Sequence, residues 1–131
     1  CRVAAMSEES AADLAVFTAL TAGVTLGTVY QDVPEGTQPP VVILADLQTE
    51  TPATKGNRTW EMLMLITTEV WESDRRPILL LQGEVKAALD GKTLTADGYA
   101  VQCAFERAET RQVDAKTYFG TQFFKLYVSA A

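Results

Sequence analysis

Glu69, Glu72 and Asp74 are the acidic residues whose spacing comes nearest to doing chemistry. Carboxylates this close together can work as a general acid and base, or share a magnesium ion. Arg75 and Arg76 follow directly. A charge-balanced, solvated turn between two elements accounts for the whole group without any chemistry. Histidine is missing from the 131 residues. Its absence removes the Ser-His-Asp triad, the Cys-His dyad and any imidazole base. Zinc sites built on histidine are excluded too, and the two cysteines fall short of an all-thiolate site. Asp90-Gly91-Lys92 and Ala96-Asp97-Gly98 lack the Gly-rich run ending in Lys-Ser/Thr that cradles phosphate, and read as turns. We therefore assign no catalytic, cofactor-binding or metal-ligating residue, and expect a protein that is not an enzyme.

Charge bounds the partners. Eleven basic residues face 17 acidic ones, a net charge of −6, which makes a poor non-specific binder of nucleic acid. Trp60, Trp71, Tyr99, Phe105, Tyr118, Phe119, Phe123, Phe124 and Tyr127 fall on apolar runs with no interleaved basic stripe. Core and subunit contact suits them better than base stacking. Lys55-Gly56-Asn57-Arg58 and residues 109–116 are polar segments between such runs. They read equally as solvated hairpin tips or as docking surfaces carried on a rigid scaffold. The candidate interface residues are Lys55, Asn57, Arg58, Arg75, Arg76, Arg111, Asp114 and Lys116.

The elements that must position these residues follow from periodicity. Residues 1–131 read as one domain, with 1–5 an extension ahead of Met6. No apolar run approaches the ~20 residues of a membrane-spanning helix, and no basic, apolar leader is seen. Cys1 and Cys103 read as reduced thiols, Cys103 in the interior, in a cytoplasmic compartment. Ser7 is a candidate cap, with Glu8 and Glu9 in the first turn. Leu14, Phe17, Leu20 and Val24 recur at helical spacing, so a helix over 8–22 stopped by Gly23 is expected. Asp74 is the cap expected for a second helix, over 75–89, with Pro77 in its first turn. Its stripe is Ile78, Leu81, Val85 and Leu89, widened by Leu80 and Ala88, and Gly91 closes it.

Gly27-Thr28-Val29-Tyr30 reads as a short strand before a Pro- and Gly-rich loop. Val41-Val42-Ile43-Leu44 opens a strand buried on both faces. Residues 59–71 form a long run with Trp60, Met62, Met64, Ile66 and Val70 on one face, apolar on both faces at Leu63 and Leu65. That marks a central strand. Thr93-Leu94-Thr95-Ala96-Asp97-Gly98 reads as a turn, residues 99–108 as a half-buried strand, 109–116 as a loop and 118–128 as the last strand. The expected order is α-β-β-β-α-β-β: an α+β fold with a mostly antiparallel, mixed sheet of about five strands and two helices packed on it. Antiparallel hairpins are expected for 41–48 with 59–71 and for 99–108 with 117–128. A strand over 59–71 would extend about 40 Å, against a radius of gyration of ~14 Å for a domain of this length. Projecting ends with apolar side chains call for a partner.

The succession of these segments resembles the tail-completion, or tail-terminator, family of long-tailed phages and gene transfer agents. The match is carried by Phe17-Thr18-Ala19-Leu20-Thr21-Ala22-Gly23-Val24 and by Gly27-Thr28-Val29-Tyr30-Gln31-Asp32-Val33-Pro34-Glu35-Gly36. Pro39-Pro40-Val41-Val42-Ile43-Leu44, Val85-Lys86-Ala87-Ala88-Leu89-Asp90-Gly91 and Phe123-Phe124-Lys125-Leu126-Tyr127-Val128 complete it. Order and spacing carry the signal over nearly the whole chain after Met6. The stretch 46–50 departs from the family in length and charge.

The resemblance implies a structural virion protein forming a homo-hexameric ring on the head-proximal end of the tail tube. Such a ring stops tube polymerisation and offers a surface to the head-tail connector or head-completion protein. DNA is only cargo passing through its lumen, no membrane is involved, and assembly takes place in the host cytoplasm. Closed rings need heterologous contacts. The alternatives are a head-completion or minor tail adaptor of the neck and, more remotely, a small cytoplasmic carboxylate-dependent enzyme.

Overall fold

Alternating burial along the apolar runs builds a sheet, and two helices cover one of its faces. The computed structural model describes residues 8–31, 38–50, 60–96 and 98–130. The order is α1 (Glu8–Gly23), β1 (Thr28–Tyr30), β2 (Val41–Glu50), β3 (Trp60–Val70), α2 (Arg76–Leu89), β4 (Thr93–Ala96), β5 (Tyr99–Asp114) and β6 (Thr117–Ala130). Among the described residues the strands form one sheet, ordered β1-β2-β3-β6-β5-β4. β1 pairs parallel with β2, and every other pair is antiparallel. The fold is α+β, as expected, with six strands rather than five.

Both expected hairpins form: β2 with β3 and β5 with β6. β3 lies inside the sheet and runs unbroken against β6 from Trp60↔Val128 to Val70↔Tyr118. Met62, Met64, Ile66 and Val70 on β3, with Phe124, Leu126 and Val128 on β6, turn toward the helices and are buried. Ile78, Leu81, Val85 and Leu89 of α2 close over them. The added strand is β4, where Thr93 and Thr95 alternate with Leu94 and Ala96. Two β-branched residues favour a pleated half-buried edge, so the turn tightens to the Gly98 corner, where φ is +84°. Residues 109–114, expected as a loop, continue β5, because β6 opposite them supplies a ladder as far as Asp114↔Thr117.

Helix α1 buries a different stripe from the one its large residues suggest. Leu14 is 39% exposed, while Ala11, Ala12, Ala15, Val16 and Leu20 are buried. Small side chains let the helix axis come close to its neighbours, and packing selects them over bulk. Gly23 belongs to the same device. A Cβ there would lie 2.9 Å from Ala88 Cβ, so it permits close helix contact and is not a left-handed stop. In α2 Leu80 is exposed and Gln82 takes the buried position. Gly91, at φ +74°, does end α2 as expected. Asp74 Oδ1 accepts from Arg76 N–H at 3.3 Å and so serves the helix start from one residue outside the cap position. Ser7 lies outside the described residues.

Glu84 of α2 clamps the segment between α1 and β1. Its carboxylate accepts Thr25 Oγ1–H at 2.6 Å, Thr25 N–H at 2.8 Å and Leu26 N–H at 2.9 Å. The Thr25 hydroxyl, opposed by desolvation and aided by the two N–H groups, holds the carboxyl below its usual range. A depressed carboxylate stabilises the fold above its unfolded pKa, and that contribution is lost as pH falls through the folded value. Glu84→Gln is therefore expected to cost about 1 kcal/mol at neutral pH, modest because the site is partly open to solvent. The difference from wild type should vanish in thermal melts at acid pH, where both side chains are neutral.

Beneath α2 lies a buried polar cluster. Gln82 Nε2 donates to Glu109 O at 3.3 Å, its Oε1 accepts from Thr110 Oγ1 at 2.8 Å, and its backbone carbonyl accepts from Gln122 Nε2 at 3.0 Å. Thr68, opposite Gly120, shares this space.

Candidate assembly surfaces

One end of the sheet gathers most of the exposed apolar side chains. Val70 closes β3 there, and the chain turns through Trp71 into α2. Trp71 is 53% exposed, and Leu26, Leu79 and Leu80 are comparably open. Leu26, Pro40, Trp71, Glu72, Pro77 and Leu80 line a groove of about 220 Å³. Trp71 is held by its indole N–H, which donates to Glu69 Oε2 at 2.8 Å. Two of the three acids thus serve local structure: Glu69 orients a tryptophan and Asp74 a helix start. Among the described residues no cluster of ligands suits a metal ion.

The β5–β6 tip stands at this same end, since Val70 and Gln112 both pair with Tyr118. Val113 near the tip is 58% exposed. Asp114 Oδ1 accepts from Lys116 N–H at 2.9 Å and shapes the two-residue turn. Arg75 lies over the Tyr118 ring at 5.9 Å and Arg111 over Phe119 at 6.0 Å. Five of the candidate residues, Arg75, Arg76, Arg111, Asp114 and Lys116, are exposed and meet at this end. Lys55, Asn57 and Arg58 lie outside the described residues.

The sheet face turned away from the helices carries Leu63, Leu65, Phe119, Phe123 and Tyr127, all half-buried. Cations rest on its aromatic rings: Arg107 over Phe123 at 4.0 Å, and Arg107 also pairs with Glu109 at 3.2 Å. A guanidinium on a ring face is attracted by the π-cloud and shields apolar surface from water. These aromatic residues serve a surface, whereas Phe124 serves the core. Leu26 and Leu79 escaped sequence reasoning, Trp71 was grouped with the aromatics of core and subunit contact, and Leu80 was placed on the buried stripe of α2 but is exposed. The one available signal was that Leu79 falls off the α2 stripe.

The family described as Tail completion protein gp17 matches residues 11–129. A solved structure titled "Virion of native gene transfer agent (GTA) particle" contains a chain similar to this one, at a TM-score of 0.84 and 21% identity. The match covers 95% of this chain and 98% of that one, and at that identity the likeness is one of fold. No curated protein sequence matches the chain.

Proposed function

The chain belongs to the tail completion protein gp17 family, and from that premise we propose that it is a structural component of a virion tail. In this reading identical copies, six by analogy with the tail-terminator type, form a ring on the head-proximal end of the tail tube. The ring ends tube growth and presents its other side to the head-tail connector. DNA crosses its lumen as cargo, and assembly takes place in the host cytoplasm. The supporting observation is the crowding of exposed apolar and cationic side chains at one end of the sheet: Trp71, Leu79, Leu80 and Val113 beside Arg75 and Arg111. Exposed apolar surface rimmed by polar residues marks an interaction site. A stop requires that one face fit the tube while the other accepts no further tube subunit.

Light scattering on the purified chain tests the ring, and tail length in particles lacking the protein tests the stop. Tails of abnormal length are expected. Tails of normal length that fail to join heads would favour a neck adaptor instead. Arg75→Ala and Arg76→Ala are expected to reduce assembly while leaving the melting temperature nearly unchanged, since both side chains are exposed. Leu81→Ala should do the reverse to the subunit, lowering its stability by about 2–5 kcal/mol. Equal loss of ring formation and of melting temperature in the arginine variants would contradict this division.

A further inference from the structure

The sheet ends on two unfinished edges. β1 covers β2 only as far as Ile43, opposite Tyr30. Among the described residues no strand pairs with the outer side of residues 44–50, where Asp46 Oδ1 accepts from Leu47 N–H at 3.0 Å. On the far edge β4 covers β5 only from Tyr99 to Gln102. The end of α2 extends that cover by three residues. Cys103 exchanges bonds of 2.9 Å with Gly91 N–H and Lys92 O, and Phe105 N–H donates to Asp90 Oδ1 at 3.0 Å. Past that point β5 continues to Asp114, and among the described residues no strand pairs with its outer side. Unpaired strand edges are templates for another strand, and these two gaps are of similar length.

Their directions agree as well. Three successive antiparallel pairings separate β2 from β5, so the two run in opposite directions. A ring that keeps one face inward sets β2 of one copy beside β5 of the next, and they meet antiparallel. Backbone groups along an antiparallel strand point alternately to its two neighbours. Pro40 O accepts from Thr28 N–H at 3.2 Å, so even-numbered positions at the start of β2 face outward. The irregularity between Leu44 and Asp46 shifts that phase, and Leu47 and Thr49 face outward beyond it. On β5, Cys103 and Phe105 face outward, and the irregularity between Phe105 and Arg107 turns Ala108, Thr110 and Gln112 outward.

Resting on the ring reading above, we infer that neighbouring copies join edge to edge, residues 44–50 of one pairing antiparallel with 107–113 of the next. In this register Leu47 meets Thr110 and Thr49 meets Ala108, each pair with both backbones facing the joint. It also sets exposed Asp46 opposite exposed Arg111, Gln48 opposite Glu109, and Glu50 opposite Arg107. Opposite charges thus meet where Asp46 faces Arg111. The bulges fix the register, β1 blocks pairing past Ile43, and the Asp90 side chain blocks it before Glu106.

The experiment is a charge exchange across the joint, read by light scattering. Asp46→Arg and Arg111→Asp are each expected to weaken association by about tenfold or more, and the two together should restore it. A second measurement covers misfolded variants. Gln48→Cys combined with Glu109→Cys, in a Cys1→Ser chain, should crosslink by oxidation into a ladder that ends at the ring's copy number. Gln48→Cys with Gln112→Cys should not. An associated wild-type chain whose single variants associate equally and whose 48/109 pair does not crosslink overturns this joint and leaves the ring standing. A wild-type chain that stays monomeric and caps no tube overturns both.

Discussion

Phe124→Ala is expected to destabilise the subunit by about 3–5 kcal/mol, measured by denaturant unfolding. Phe124 is the largest fully buried side chain among the described residues. It sits on β6, inside the sheet, facing the helices. Phe105 meets it edge to face, with centroids 5.5 Å apart and planes at 72°, and Lys86 covers the Phe105 ring at 4.5 Å. Truncation leaves a ring-sized void between sheet and α2, and the neighbours are held by strand and helix backbones that cannot collapse into it. A loss below about 1 kcal/mol would show that the core repacks freely. Because β6 backs β5, assembly should fall in step with stability, unlike the response expected at Arg75.

Gly120→Val is expected to be at least as damaging, for the opposite reason. Even a Cβ at this position would press into Gln82 Nε2, and would lie 2.7 Å from Thr68 Oγ1 and 2.9 Å from Gln82 Cδ. Gln82 cannot swing aside without cost, since it is buried and bonded to Glu109 O and Thr110 Oγ1. Overpacking costs about 1–3 kcal/mol, and orphaning the buried partners of Gln82 adds about 1–3 kcal/mol. Gly120→Ala should show a milder form of the same loss. Combining it with Gln82→Ala should recover part of the stability, because the clash is removed along with the amide. A Gly120→Ala chain that melts like wild type would mean that α2 yields at this point.

The sequence made some of this legible and hid the rest for physical reasons. β3 was readable because a long run with Met62, Met64 and Ile66 in phase has one reasonable burial pattern. The stripe of α2 was readable because four large apolar residues recur at helical spacing. The burying face of α1 was not, because alanines carry little pattern and only the closeness of α2 shows why they are used. The outer half of β5 was hidden by its charges. Polar residues such as Glu109 and Arg111 read as loop, yet a strand needs only a paired ladder on one side, and β6 supplies it. At the candidate assembly surface, Arg75, Arg76, Arg111, Asp114 and Lys116 were picked out by charge in turn-like segments. Trp71 was read with the aromatics of core and subunit contact, and its exposure was hidden because a tryptophan next to a buried strand looks like core until the chain is seen to turn away.

Cys103 carries a further consequence. Burial pushes its thiol up to about 12, and the chain has no imidazole to draw off the proton. Near neutral pH the sulfur is held as the thiol while the strands are closed, so peroxide or disulfide reagents in the medium find little thiolate at this position. Oxidation at this sulfur is therefore expected to follow the opening of β5 from its neighbours.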